Sequence, residues 1–470
     1  MAELMILGGA EEIGANSCYI ELDGTGILID AGLHPRDRGR NAFPDIDKLF
    51  GRPTDVLVVT HAHTDHLGGV PFVLRRMPHL RTIMTRATRD LSHIMLHNNA
   101  RLLKSDIVNH VPEDALAFYK REEIELLRKS FESLDYDESL DVRGYTGRSS
   151  VDVALHWSGH ILGSAGISLE NNGLRIIHTG DVMFEDQRFV AKARLPRNHA
   201  DIVITEATNG ADEQEVNYAA ETRRLAEFVN RISGNNGSVL IPCFALGKTQ
   251  EILTIIHALM RRGSIPNLPV YAGGMAVSVN KVYDQYCYQE PVKIPGFEIS
   301  DIPFTRLTHD ALAKGDFMKT PSIVVAASGM MSKDTMSFKL ALKWLPQRRF
   351  GIAFVGYQDP SSPGSQLLHS PDNEPFDLAG RLVKRRCEIE RLRFSAHASR
   401  SSIVDYISDV RPSSVVIIHG EPNACDALGL AIRERLPGIR ILVPRKGVPY
   451  RIGEGAALTA SSLDDEGLRN

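Results

Sequence analysis

The chain has 470 residues, 43% hydrophobic and 24% charged, which excludes wholesale disorder. Its 54 Lys and Arg stand against 58 Asp and Glu, a net charge of −4, so a uniformly basic nucleic-acid coat is excluded while a local basic groove is not. The five cysteines are too few and scattered for a disulfide framework. No apolar run approaches the roughly 18 residues of a membrane span, and Glu3, Glu11 and Glu12 stand where a secretion signal needs positive charge. A cytoplasmic protein without a membrane segment is therefore expected. The length alone suggests about three domains.

In chain order, residues 16–22, 26–30 and 55–60 read as short apolar strands closed by polar or Gly-containing turns. Residues 67–76 and 112–131 read as helices, and 151–156, 165–169, 174–178 and 201–205 return to strand. From about Asn209 the rhythm lengthens to helix 215–232, strand 238–242, helix 246–261 and strands 270–271, 323–326 and 351–355, an alternation that predicts a parallel sheet. The Ser-, Pro- and Asp-rich stretch 360–375 reads as a loop or boundary. Strands 387–394, 414–418 and 439–443 then alternate with helices 400–410 and 423–436, and the small polar tail from Gly453 is expected to fray.

The strongest chemical signal is THAHTDHLGG at 60–69, where His61, His63, Asp65 and His66 fall within six residues of a loop after a buried strand. With 17 His in 470 residues, such a cluster arises by chance in about one chain per thousand, so surface histidines are a weak account of it. Imidazole and carboxylate donors suit zinc, and the end of a strand is where α/β sheets bind ligands. Histidines two apart can face one metal while Asp65 and His66 face a second. One loop cannot complete two sites, and His160 in SGHILGSAG, Asp181 in IIHTGDVMF and His419 in VVIIHGEP have the right character. Taken singly each reads as a hydrogen-bonded structural residue; their shared place at strand ends raises them together.

HAHTDH, GHILGSAG and HTGD together resemble the metallo-β-lactamase fold, and EATNG, FSAHAS and IIHGE resemble the motifs of its β-CASP nuclease branch. Within that branch the resemblance is to members that process RNA ends, including compact bacterial and archaeal ones. It runs from LGGAEEIG to IIHGE, nearly the whole chain. It implies an α/β chain built as an αββα sandwich, with residues 1–208 and 379–470 forming the metallo-β-lactamase domain and residues 209–378 an inserted β-CASP domain. It also implies two Zn2+ ions: His61, His63 and His160 on one, Asp65, His66 and His419 on the other, and Asp181 bridging both. Asp30 in LIDAG matches an aspartate that braces the ligand loop. His397 matches the general acid and Glu206 the carboxylate that holds it. His34, His178 and His369 match no ligand position.

The implied activity is hydrolysis of single-stranded RNA, mainly endonucleolytic with 5′-exonuclease action beside it. Two metals polarise the phosphate and make hydroxide available at neutral pH, and a positioned His can give the leaving O3′ its proton. A carboxylate such as Glu206 keeps that His charged beside the metals. The run 381–400 carries seven Lys and Arg against Glu388 and Glu390, and it leads to His397. Arg391 and Arg393 in it, and Lys248 at the start of a helix, are candidate RNA contacts. Gly247-Lys248-Thr249 is no P-loop, because Pro242 stands where that motif needs Gly. SGMMSKD resembles a phosphate-contacting loop of the same family.

Ser399 stands where many relatives carry Asp, and EATNG departs from the family after its acidic position, which bears on substrate preference more than on chemistry. A DNA-processing member is the main alternative, and His419 argues against it because such members carry an aliphatic residue there. A catalytically silent scaffold subunit is the other, and it is disfavoured because every expected ligand is present. A homodimer is left open beside RNA as a partner.

Overall fold

The computed structural model describes residues 2–37, 39–103, 117–213 and 217–461. The chain forms two compact units: Met1–Glu185, Lys192–Glu215 and His397–Asn470 make one, Asp186–Ala191 and Val216–Ala396 the other.

The first unit is a sandwich of two sheets. In spatial order one contains Leu458–Ala460, Pro449–Ile452, Ala2–Gly8, Ser17–Leu22, Thr25–Ile29, Val56–Val58, Arg81–Met84 and Phe131–Ser133. The other contains Arg440–Leu442, Ser414–Ile418, Ile202–Glu206, Leu174–His178, Ala165–Asn171, Val151–Trp157 and Ser139–Val142. Ile6, Ile20 and Ile29 from the first sheet and Val153, Ile167 and Ile204 from the second interdigitate in one core. Strand alternation supplies that face, because successive side chains point to opposite sides. The outer face of the second sheet packs Val203, Val415 and Ile417 against Ile403, Ile407, Leu428 and Ile432 of helices Arg400–Val410 and Pro422–Arg435. Val56–Val58 lies parallel to both neighbours and is buried throughout, so it reads as an unbroken apolar run.

The second unit is built on a parallel sheet ordered Thr305–Leu307, Val270–Gly273, Ile323–Ala326, Val239–Pro242, Gly351–Phe354 and Glu388–Arg391. Leu240, Val324, Ile352 and Phe354 pack on Phe338, Leu340, Ala341 and Trp344 of helix Met336–Trp344. A hairpin of Pro375–Leu378 and Arg381–Lys384 carries the first two residues of the basic run, Arg381 and Lys384.

Several expectations need correction. The helix expected at 67–76 is divided into Thr64–Leu67 and Val70–Arg76, because Gly68 and Gly69 intervene and Pro71 opens the second piece. Of 112–131, residues 112–116 lie outside the described residues, and the remainder is a turn at Ala117–Tyr119, helix Arg121–Ser130 and the start of a strand at Phe131. The helix expected at 215–232 is Tyr218–Gly234, with 215–216 outside the described residues, and Asn217 Oδ1 accepts from Ala220 N at 2.9 Å. The stretch 360–375 contains helix Pro363–Leu368, whose Ser362 Oγ accepts from Ser365 N at 3.1 Å. The tail does not fray at Gly453: Leu458–Ala460 pairs with Pro449–Ile452, which pairs with Ala2–Gly8; residues 462–470 of the tail lie outside the described residues. No described helix is long and apolar enough to cross a membrane.

The tail is also held from below. Ser414 is fully buried, and its Oγ donates to the Ala456 carbonyl at 2.8 Å while accepting from Arg440 Nε at 3.2 Å. Ser414→Ala should leave that carbonyl unpaired and lower unfolding free energy by about 1–3 kcal/mol. Urea denaturation measures this, and an unchanged midpoint would show the tail contact to be dispensable.

Candidate metal centre

The donors expected from sequence all sit at or just beyond the C-terminal ends of strands in the first unit. Thr25–Ile29 leads to Asp30, Val56–Val58 to the loop 60–66, Leu174–His178 to Asp181, and Ser414–Ile418 to His419, while Glu206 closes Ile202–Glu206. Asp30 and His419 turn the chain sharply, with φ of 60° and 50°, a left-handed conformation that costs a non-glycine residue free energy and gathers at functional sites.

Asp30 fixes the loop. Its Oδ1 accepts from Thr60 N, and its Oδ2 from Thr60 Oγ1 and from His66 Nδ1, each at 2.7 Å. The backbone adds Ala31 N to the His66 carbonyl at 2.8 Å and Leu33 N to the Thr64 carbonyl at 2.9 Å. Gly32 passes so close that a Cβ would lie 1.7 Å from the Asp65 carbonyl oxygen.

Two groups of donors result, in each of which the donor atoms lie within 4.8 Å of one another. In the first, His61 Nε2 and His160 Nε2 are each 3.1 Å from His63 Nδ1, and each is 3.6 Å from Asp181 Oδ2. In the second, His419 Nε2 is 3.4 Å and His66 Nε2 3.9 Å from Asp65 Oδ2. His66 Nε2 is also 3.4 Å from Asp181 Oδ2, so this carboxylate stands between the groups. Donors about 2.1 Å from one cation, at tetrahedral or octahedral angles, lie about 3.0–3.4 Å apart. Both groups fit a metal by donor type and by spacing. With Asp30 on its Nδ1, His66 presents Nε2 to the site, the arrangement in which a carboxylate orients a ligating imidazole.

The electrostatics agree. Burial pushes His61 well below the ordinary histidine range, so it offers a neutral lone pair. Burial opposes charge on His66 too, but Asp181 and Asp30 outweigh it and lift it well above that range. Burial likewise opposes charge on Asp181, and His419 and His66 overcome it and hold the carboxyl ionised.

His397 lies beside the centre with its ring centroid 4.6 Å from that of His160. Its Nδ1 is 2.8 Å and 3.0 Å from the two oxygens of Glu206. Burial disfavours the imidazolium, but the Glu206 charge and hydrogen bond prevail and raise His397 to about 9. Glu206 is itself fixed, since its Oε1 accepts from Val182 N at 2.8 Å. Asn209 Nδ2 donates to the His397 carbonyl at 2.9 Å and to the Ala398 carbonyl at 3.2 Å.

The expected RNA contacts lie in the second unit and fare differently. Lys248 is buried and its ammonium donates to the Phe394 carbonyl, so it is not the surface cation that a phosphate contact needs. Arg391 is exposed on the outermost strand Glu388–Arg391, and Arg393 is half-buried with its backbone N donating to Glu221 Oε2 at 2.7 Å. His178 is structural, as expected, its Nδ1 accepting from Gly180 N at 3.0 Å. Three contributors escaped sequence reasoning. Thr60 Oγ1 links Asp30 to His61 Nδ1, at 3.1 Å from the latter, and Thr208 Oγ1 lies 3.1 Å from His419 Nδ1. Asn209 is the third; with Thr208 it belongs to EATNG, a motif read for Glu206 alone.

Comparison with known proteins bears on both units. Residues 11–204 match the model of the metallo-beta-lactamase superfamily, residues 249–367 that of the Beta-Casp domain, and residues 382–444 that of the Zn-dependent metallo-hydrolase RNA specificity domain. The chain is 26% identical over 471 residues to Endoribonuclease YSH1 of Mycosarcoma maydis, covering 97% of itself and 52% of that relative. It is 29% identical over 454 residues to an RNase J-like protein of Methanocaldococcus jannaschii, covering 95% of itself and 99% of the relative. It thus spans about half the length of the fungal relative and nearly all of the archaeal one. A crystal structure of a protein of unknown function from Enterococcus faecalis shares the fold, with a TM-score of 0.56 at 14% identity over 95% of this chain and 99% of that one.

If Asp30 sets the donor loop, Asp30→Asn should weaken zinc binding by about 10–100-fold, because a donor then faces donors. Competition with a chromogenic chelator measures this. Undiminished affinity in a cooperatively melting variant would sink the idea.

Proposed function

The chain belongs to the β-CASP family of metallo-β-lactamase-fold nucleases, and from that and its donor geometry we propose that it is an endoribonuclease that hydrolyses single-stranded RNA with two zinc ions. The observation that carries the proposal is Asp181 standing between two donor groups, with a Glu206-held His397 alongside. The relative named an endoribonuclease and the match to an RNA specificity domain support RNA as substrate.

We assign one ion to His61, His63 and His160, the other to Asp65, His66 and His419, and Asp181 to both. When bound, such ions supply Lewis acidity to the phosphate and a hydroxide nucleophile at neutral pH. The chain's own residues do the rest. Asp30 and Thr60 hold the donor loop in register, so the donors need no rearrangement as charge develops on phosphorus. Glu206 accepts from His397 Nδ1 and leaves Nε2 to face the substrate. With its pKa raised to about 9, His397 carries its second proton at neutral pH. It passes the Nε2 proton to the leaving O3′, and the neutral ring remains hydrogen-bonded to Glu206 through Nδ1–H. Asn209, holding the backbone on both sides of the His397–Ala398 peptide, fixes where the ring starts. The products are a 3′-hydroxyl and a 5′-phosphate.

The test is cleavage of 5′-labelled and 3′-labelled single-stranded RNA beside DNA of matching sequence. Wild type is expected to give internal RNA fragments, to lose activity to a chelator and to regain it with zinc. Asp181→Ala should abolish cleavage, and His397→Ala should lower it by about 10²–10⁴-fold. Glu206→Gln should lower it less, because the ring keeps a hydrogen-bond partner but not its charge. Preferential cutting of DNA, or full activity in His397→Ala, would overturn the reading.

A further inference from the structure

A second cluster of metal-binding side chains lies apart from the centre. Helices Arg86–Leu103 and Arg121–Ser130 pack together in the first unit. His93 and His97 are four residues apart on the first, so their side chains leave one face a turn apart. Glu125 meets them from the second. Its Oε1 is 2.9 Å from His93 Nε2 and 3.1 Å from His97 Nε2, and the two nitrogens are 3.1 Å from each other. The rings stand edge to face at 85°, with centroids 4.6 Å apart, so the nitrogens converge without the rings stacking. This triangle matches three donors on one face of an ion, which lie about 3.0–3.4 Å apart when each is about 2.1 Å from it. The side chains are 30%, 28% and 41% exposed, which leaves the outer coordination positions to water.

We propose that His93, His97 and Glu125 form a separate site for a divalent first-row transition ion, zinc first, which ties the helix Arg121–Ser130 to the helix Arg86–Leu103. Two imidazoles and a carboxylate are a zinc donor set, and the same set takes nickel and copper in the usual order of affinity. The helical spacing fixes two donors before the ion arrives, so binding needs only the Glu125 rotamer to be held. The first helix also touches the donor loop, where Thr64 Oγ1 donates to Asn99 Oδ1 at 2.9 Å. The site belongs to the scaffold around the catalytic donors without sharing any of them.

The test uses the full chain in zinc-buffered solution, with bound metal counted by mass spectrometry. Wild type should hold one equivalent more than His93→Gln/His97→Gln. Glu125→Gln should raise the dissociation constant of that equivalent at least tenfold, and Asp181→Ala should retain it, which separates this site from the centre. Zinc should raise the Tm of wild type above that of the double variant, and RNA cleavage should be equal in both. Cobalt(II) should give d–d absorption bands that the double variant loses. Equal zinc counts in wild type and a double variant of native circular dichroism would overturn the proposal. Should the double variant misfold, unchanged zinc affinity in Glu125→Gln would do so alone.

Discussion

A buried carboxylate that faces no substrate sets the geometry of the centre. Asp30 accepts three hydrogen bonds on two oxygens, from a backbone N–H, a hydroxyl and an imidazole, all from residues 60–66. A carboxylate so placed would be costly if unpaired, since burying an ionised group without partners is among the most unfavourable steps in folding. Its three partners therefore have little freedom to move. Thr60 in turn contacts His61, and His66 is held by its far nitrogen, so two donors on one short loop inherit their orientation from one side chain on the neighbouring strand. The parallel pairing of Thr25–Ile29 with Val56–Val58 puts that side chain beside the loop, and a one-residue slip would turn it to the opposite face.

The rest of the centre depends on strand order. Ile202–Glu206 pairs in parallel with Leu174–His178 on one side and Ser414–Ile418 on the other. Parallel strands end on the same edge of a sheet, so Asp181, Glu206 and His419 emerge side by side although more than two hundred residues of sequence separate the first from the last. The register opposes Glu206 to Ile418. The whole segment between Glu206 and His397 must then leave and re-enter the sandwich within hydrogen-bond reach, as Asn209 holding the His397 carbonyl makes visible. Closely spaced ends of this kind let an inserted domain leave its host sheet intact.

How much of this was legible in the sequence follows from what each signal encodes. Strands such as 323–326 and 414–418 are readable to the residue because both faces are buried, which leaves nearly uninterrupted apolar runs. The donor residues were readable because six residues carried four of them, and because the remaining three fell at strand ends. What failed was local. Strand Ala2–Gly8 and helix Arg86–Leu103 are not among the elements expected from sequence; the helix mixes His, Asn and Arg with its apolar positions, which dilutes its period. A lysine at a helix start looks exposed, and only tertiary packing reveals that the Lys248 ammonium is used on a carbonyl. Thr60 and Thr208 gave no signal, since a threonine that bridges two donors looks like any other until the donors are in place.

The electrostatic layout also explains why the acid and the donor groups need separate anchors. Seven donors and His397 share a small buried volume, and a single network of hydrogen bonds through them would couple every protonation to every other. Each side has its own carboxylate as an anchor. Asp30 holds the donor loop and Glu206 holds His397, while Asp181 lies 3.4 Å from His66 Nε2 and 3.9 Å from His397 Nδ1. Asp181 is then the group that both donor sets share, and burial would drive it to the neutral acid were it not for the imidazoles around it. His419 and His66 keep it charged. The donor set is thus arranged for positive charge by the fold itself.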